Sequence, residues 1–225
     1  MMLKKNGLQT RHKASGFSLL EMMTVVALVI ILTAITFVSM VPVLQQQHVI
    51  NAYNITMAAM RQARDNSIAQ RTSYSVTFTK STSPALSTVT VAPTLTTGFQ
   101  DQQTSVTYQL PSDVQFDAEP GVASTPTPDG FGTGLYPVDF GYTASGTGSG
   151  GQSVIYFCPD GSSQDGTGTA GAGGCTGNWS GGVVYIAMPG NLMSSRALSL
   201  WGGTGRIHGW RLYTNGSGGY QWVRQ

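Results

Sequence analysis

The sequence has few charged residues, and basic ones are missing over about half of its length. Charged residues make up 10% of the 225 residues, against about 25% in an average soluble domain. Residues 81–195 contain eight acids and no lysine or arginine. So little charge is not typical of a compact cytosolic enzyme, of a coiled coil or of a disordered charged tail.

Residue patterns that build common catalytic sites are also lacking. The chain has three histidines and neither a Gly-x-Ser-x-Gly nor a His-Glu-x-x-His motif. Gly166, Gly168 and Gly171 match Gly-x-Gly-x-x-Gly, but no helix pattern follows them, so they do not predict a dinucleotide site. We therefore expect no enzyme activity, no cofactor and no metal ion.

What the sequence does have is one long hydrophobic run near the N-terminus. Residues 17–41 contain one charged side chain, Glu21, and the 16 residues before them contain four bases and no acid. About 20 apolar residues span a membrane as a helix, and basic flanks stay in the cytoplasm. The alternative, a secretory signal peptide, would have a shorter apolar core and a small-residue cleavage site. We expect a single transmembrane helix with the following chain outside the cytoplasm.

Glu21 is unusual within this run. A lone carboxylate in hydrocarbon costs about 2.5–3.5 kcal/mol, so it either reaches the lipid headgroups or pairs with a cation. Cleavage after Gly16 would create an α-amino group on Phe17, four residues before Glu21. That amine, in the same chain or in a neighbouring one, would neutralise the carboxylate.

The segment GFSLLE at residues 16–21, after a basic leader and before an apolar helix, resembles the processing signal of type IV prepilins. The resemblance implies that a prepilin peptidase cuts after Gly16 and methylates Phe17, and that Glu21 sets the register of subunits in a filament. It also implies a bacterial inner-membrane protein with a periplasmic head, whose partners are other pilins or pseudopilins.

A second helical pattern follows the membrane run. Pro42 is expected to end or bend the first helix, because proline removes a helical hydrogen bond. Beyond it, apolar residues recur at three- and four-residue spacing up to about residue 71, which predicts an amphipathic helix. The apolar positions, which we expect to form core, are Ile50, Tyr53, Met57 and Met60.

From Ser73 the pattern changes to short β-type runs separated by Gly, Pro, Ser and Thr. The predicted strands are 74–79, 88–92, 105–110, 114–116, 138–142, 154–157, 183–188, 197–201, 207–213 and 220–223. Asn215-Gly216 between the last two is typical of a hairpin turn. The fold class is therefore α+β, a long N-terminal helix packed on an antiparallel β-sheet head. The expected segments are a leader at 1–16, a transmembrane helix at 17–41, a helical continuation at 42–72 and a head at 73–225.

Three later motifs are similar to those of the GspH/FimT class of minor pilins. They are ARDNSIA at 63–69, FCPDG at 157–161, and RALS with TGRI between 196 and 207. The resemblance implies a minor pseudopilin, a structural subunit of a type II secretion pseudopilus. Two alternatives stay open: a minor pilin of a type IV pilus, with DNA binding for uptake, and a membrane-anchored periplasmic protein that does not polymerise.

The two cysteines, Cys158 and Cys175, are predicted to form a disulfide, since both lie outside the cytoplasm in the expected orientation. A zinc site is the weaker alternative, because two thiols with no nearby histidine make a poor tetrahedral set. The carboxylates of Asp160 and Asp165 in the same loop are ligands of the type that calcium prefers. Because the loop lacks EF-hand spacing, we favour a solvated loop over a calcium site.

The last 30 residues contain four arginines and no acid. In a regular strand Arg206, His208 and Trp210 share one face, and with Arg211 they form a candidate nucleic-acid contact. Some members of the class belong to DNA-uptake pili and carry Gly-Arg-x-Arg; here His208 replaces the second arginine. We favour the alternative that these arginines pair with the acidic 81–195 stretch, because residues 73–225 hold five bases and eight acids.

Overall fold

The structure is a computed structural model that describes residues 16–81, 85–94, 105–142, 148–165, 175 and 177–225. It consists of two compact units, Met1–Val43 and Leu44–Gln225. The expected leader, apart from Gly16, lies outside the described residues.

One helix, α1, runs from Leu19 to Gln70. It ends where Arg71 adopts a left-handed backbone conformation, with φ of 53°, a geometry that often terminates helices. Pro42 lies inside α1 and does not end it. A proline removes one hydrogen bond, and the turns on both sides of it keep theirs.

In the described part of the chain, α1 is followed by twelve strands. They are β1 (Tyr74–Thr79), β2 (Thr88–Pro93), β3 (Val106–Gln109), β4 (Gln115–Phe116), β5 (Val138–Tyr142), β6 (Gly148–Gln152), β7 (Val154–Phe157), β8 (Ser163–Gln164), β9 (Gly181–Met188), β10 (Asn191–Trp201), β11 (Arg206–Thr214) and β12 (Tyr220–Arg224). Two short 3₁₀ helices, Val122–Ser124 and Pro128–Gly130, lie between β4 and β5.

The strands form two antiparallel sheets. Sheet A has the order β3-β2-β1-β7-β8, and sheet B has the order β12-β11-β10-β9-β5-β6, with β4 also paired to β9. Strand β9 therefore pairs with β4 and β5 as well as with β10. The α+β fold class predicted from the sequence is confirmed.

The main core joins both sheets to the part of α1 that belongs to the second unit. Phe78 of sheet A packs against Phe116 and Phe140 of sheet B, each with a ring-centroid distance of 5.5 Å. The buried positions on this part of α1 are mostly small: Val49, Ala52, Tyr53, Thr56, Ala59, Met60, Ala63 and Ser67. The predicted stripe is thus confirmed in part: Tyr53 and Met60 are buried, while Ile50 and Met57 are half-buried at its edge. Small side chains dominate because they let strands approach the helix closely.

A second core lies on the opposite face of sheet B. Val183 and Tyr185 of β9 pack there against Val122 and Phe131, which come from the segment between β4 and β5. Val184 and Ile186, the alternate residues of β9, face the main core. Strand β9 is consequently buried on both faces.

The ten predicted strands are all present, with ends shifted by up to six residues. The largest shift is at β10, which starts at Asn191 because a register irregularity between Asn191 and Arg196 lengthens the strand. Strands β6 and β8 were not predicted, since the first is Gly/Ser/Gln-rich and the second has two residues. The hairpin at Asn215 is confirmed: its Oδ1 accepts hydrogen bonds from the backbone N–H groups of Ser217 and Gly219.

Candidate functional site

The N-terminal segment places the predicted processing residues at the start of α1. Gly16 and Phe17 precede the helix and are exposed, and the backbone N–H of Met22 donates to the Ser18 carbonyl in the first turn. Glu21 lies in that turn, where a carboxylate interacts favourably with the positive end of the helix dipole. The cleavage position is therefore exposed, and Glu21 follows it by about one helical turn.

The first part of α1 has an apolar surface that the described part of the chain does not cover. Between Phe17 and Leu44, eighteen large apolar side chains are exposed among those that the structure describes. The most apolar 18-residue window has a mean hydropathy of 2.6, and none of it is buried. By length and composition α1 can cross a membrane. Such a surface requires lipid or other apolar helices around it.

The predicted disulfide between Cys158 and Cys175 is present, with a Cα–Cα distance of 5.7 Å. Next to it, Oδ1 of Asp160 accepts hydrogen bonds from the backbone N–H and the hydroxyl of Ser162, at 2.9 and 2.6 Å. These bonds lower the pKa of Asp160. The glycine motif at 166–171 lies outside the described residues, and the described ones contain no cluster of three or more His, Cys, Asp or Glu side chains.

The ARDNSIA motif holds the start of the disulfide loop against α1. The hydroxyl of Ser67 donates to the Cys158 carbonyl at 3.1 Å. Arg64 donates from Nε to the Gly161 carbonyl at 3.3 Å and from Nη2 to the Thr204 carbonyl at 3.1 Å. Arg64 and Ser67 therefore position the loop and the β10–β11 turn relative to the helix.

The C-terminal candidate residues divide between two faces of sheet B. In the β10–β11 register, His208 lies opposite Ser199 and Trp210 opposite Ala197, so Arg206, His208 and Trp210 share one face as predicted. Arg211 lies on the other face, opposite Arg196. The four residues therefore do not form one surface.

His208 and Trp210 are tied into a hydrogen-bond network around Asp129. The His208 Nδ1 lies 2.7 Å from the Asp129 carboxylate, which also accepts hydrogen bonds from the Ser199 hydroxyl and the Trp201 indole. The Trp210 indole donates to Ser199 at 2.9 Å. Burial raises the pKa of Asp129, but these hydrogen bonds outweigh it and the net pKa is lowered. His208 and Trp210 thus have structural partners.

Arg206 instead lines an open cleft of about 500 Å³. Arg61 and Arg64 of α1 contribute to the same cleft, and Asp65 is its acidic residue. Among the described residues, the ion pairs are His48–Asp113, Lys80–Asp117 and His208–Asp129. None of these three ion pairs joins a C-terminal arginine to the acidic stretch, and Asp129 binds His208 instead. The favoured pairing of the C-terminal arginines therefore stays a prediction.

Several of these residues were not among the predicted site residues. Asp129 meets His208 through an irregular segment 79 residues away in sequence, so no local pattern indicates the contact. Arg61 and Arg64 are three residues apart on α1, and this helical spacing is a signal that predicts a shared face.

Comparison with known families supports the N-terminal motif. A family model described as "Prokaryotic N-terminal methylation motif" matches residues 11–37. No match was found among curated proteins or among solved structures. The matched motif, together with the exposed apolar start of α1, supports a type IV pilin-like protein that is anchored in a membrane, processed by prepilin peptidase and assembled with other pilins.

Proposed function

We propose that this pilin-type chain is a minor pseudopilin, a structural and non-catalytic subunit of a type II secretion pseudopilus. The observation that carries the proposal is the methylation motif at residues 11–37, placed directly at the start of an exposed apolar helix. The head supplies a large folded surface of two sheets beyond that helix.

In this function the chain is inserted in the inner membrane and cut after Gly16, and the new N-terminus at Phe17 is methylated. The apolar part of α1 then packs with the helices of neighbouring subunits, which covers its exposed side chains. Glu21 pairs with the α-amino group of a neighbour, because an unpaired carboxylate between apolar helices is costly. The head in the periplasm contacts other minor subunits or cargo.

Processing and assembly are tested with the tagged full-length chain in its native host. Mass spectrometry should find a mature N-terminal peptide that begins with methylated Phe17. Glu21→Ala should leave cleavage intact and abolish co-isolation with other pilin-type subunits. Thr24→Val is the matched control, because it lies about one helical turn after Glu21 and removes no charge. This variant should assemble normally. An uncleaved chain whose behaviour is the same with Glu21→Ala would support the non-polymerising alternative.

The choice between secretion and pilus is tested by deleting the gene. Loss of secreted enzymes from the medium with pili intact, restored by complementation, is the expected result. Normal secretion with altered pili would overturn the secretion assignment and favour a type IV pilus.

The cleft lined by Arg61, Arg64 and Arg206 favours one second function, DNA binding by a minor pilin. The detergent-solubilised full-length chain would then retard a DNA fragment at low salt, and Arg206→Ala would weaken the retardation. Arg211→Ala, on the other face of the sheet, serves as the comparison. If the wild-type chain does not retard DNA at low salt, this second function is excluded.

A further inference from the structure

Two arginines lie side by side on the face of sheet B that packs against α1. Arg196 of β10 is directly opposite Arg211 of β11. Arg196 is 5% exposed, and the guanidinium carbon of Arg211 lies 4.9 Å from the centre of the Tyr213 ring. Like charges directly opposite each other on antiparallel strands are destabilising. Such a pair calls for a counter-charge.

The described residues do not supply that counter-charge. Nη1 of Arg196 and Nε of Arg211 are buried, and neither has a hydrogen-bond partner among these residues. The three ion pairs of the described chain use other side chains. Burial, with a smaller effect of Arg211, lowers the pKa of Arg196 to about 10, which still leaves it charged at neutral pH. Buried guanidinium nitrogens are normally paired, so these two nitrogens lack a partner that an acceptor from elsewhere would supply.

A tyrosine hydroxyl from α1 forms a third side of the site. Gly209 is two residues before Arg211 on the same face of β11 and lies opposite Leu198. A Cβ at Gly209 would overlap the Tyr53 hydroxyl, so the hydroxyl sits directly over this glycine. Burial raises the pKa of Tyr53, although Arg61 and Arg196 act in the opposite direction. Tyr53 therefore stays protonated and can donate a hydrogen bond.

The outer edge of the site is apolar. Val223 of the edge strand β12 is opposite Arg211, and Tyr213 lies two residues beyond Arg211 on the same face. Val223 and Tyr213 are 41% and 38% exposed. The site thus has two positively charged guanidinium groups next to an exposed apolar edge.

We propose that Arg196, Arg211 and Tyr53 bind a carboxylate side chain from the head of a neighbouring pilin-type subunit. A guanidinium presents paired N–H groups that match a carboxylate, and the tyrosine hydroxyl adds a further donor. The inference rests on the proposed function, because filament assembly is what brings the neighbouring head into contact.

Charge and surface chemistry favour an acidic protein side chain over nucleic acid. Residues 73–225 hold five bases and eight acids, so a phosphate backbone is repelled along its length, whereas one carboxylate brings a single charge. An apolar edge suits the residues that flank an acidic side chain in a protein interface. Nucleic-acid sites need a wider basic surface.

The first test measures heat unfolding of the purified full-length chain in detergent, with sodium acetate as the probe and sodium chloride at equal ionic strength as the reference. At an acetate concentration of about ten times the dissociation constant, the unfolding temperature of the wild-type chain should rise by about 3 to 6 °C. Arg211→Met should abolish the rise. Arg224→Met, on the other face of the neighbouring strand, should keep it. The same rise in the Arg211→Met variant would overturn the site.

A short single-stranded DNA in place of acetate tests the competing ligand. An Arg211-dependent rise that is larger with DNA than with acetate would overturn the carboxylate assignment in favour of nucleic acid.

The second test places a photo-crosslinking residue at Val223 of the full-length chain in cells. A cross-link to another subunit that carries the methylation motif should form in the wild-type background and with Arg224→Met, and should be lost with Arg211→Met. Persistence of that cross-link in Arg211→Met would contradict the proposal. If instead the wild-type chain is neither cleaved after Gly16 nor co-isolated with pilins, the proposed function fails, and the acetate result still reports on the site itself.

Discussion

The disulfide between Cys158 and Cys175, at a sequence separation of 17, closes a loop that is rich in glycine and poor in apolar residues. Its main effect should therefore be on the unfolded chain, which it keeps from expanding. For a loop of this length the chain-entropy relation gives about 3 kcal/mol. The double variant Cys158→Ser/Cys175→Ser should lower the free energy of unfolding of the head by that amount.

Urea unfolding followed by tryptophan fluorescence is a suitable assay for this change. All four tryptophans, at positions 179, 201, 210 and 222, lie in the second unit, so the signal reports on the head even when the membrane helix stays in detergent. With a urea dependence of about 2 kcal/mol per molar, the midpoint should fall by about 1.5 M. The midpoint temperature should fall by about 6 to 12 °C.

Reduced wild-type protein is the matched comparison, since it loses the same constraint without a substitution. It should unfold close to the double variant. An unchanged midpoint after reduction, with both thiols shown to be free, would refute the entropic argument.

Three further substitutions test other contacts. Asp139→Ala removes a buried carboxylate that accepts hydrogen bonds from Thr133, Tyr142 and Gly151. Because these donors lose their acceptor, the free energy of unfolding should fall by about 3 kcal/mol or more in the same urea assay. A decrease of less than about 1 kcal/mol would contradict this prediction. Gly209→Ala introduces a clash with the Tyr53 hydroxyl and should lower the free energy of unfolding by about 1–3 kcal/mol. In a double-mutant cycle, Tyr53→Phe should recover part of this loss, because it removes the clashing hydroxyl. The lowered pKa of Asp129 means that its stabilising effect is present above the unfolded-state pKa of about 3.9 and is lost as the pH falls through the folded-state pKa. The difference in unfolding free energy between wild type and Asp129→Asn should therefore shrink from pH 7 to pH 3, and a constant difference would count against the network.

Much of the fold was predictable because it depends on local patterns. Alternating apolar and polar residues locate β1 and β2, and the Asn-Gly pair locates the last hairpin. The α1 boundaries follow equally from an apolar run and from helical spacing. Strand β6 was not predictable in this way. It pairs through backbone groups in a glycine-rich stretch, and side-chain patterns carry no information about such pairing.

The candidate sites were less predictable, because they depend on contacts between distant segments. That Arg206 and Arg211 lie on opposite faces follows from strand alternation once the strand is placed. The burial of Arg196 does not follow from the sequence. The residues before it are small and polar and those after it are apolar, so the local pattern predicts neither burial nor exposure. The contact of Asp129 with His208 depends on how an irregular segment crosses sheet B.

The position of β9 has a consequence for the time at which the head can fold. Synthesis proceeds from the N-terminus, so β1, β2 and β3 are complete and can pair long before residues 181–188 exist. The centre of sheet B has to wait for β9, because β4 pairs with β9 through residues 115 and 187, and β5 pairs with β9 through residues 138 and 184. Pairing over such distances in sequence is slow, and unpaired edges are prone to aggregation in the meantime. The interval between synthesis of β4 and of β9 is thus when the nascent head most needs protection.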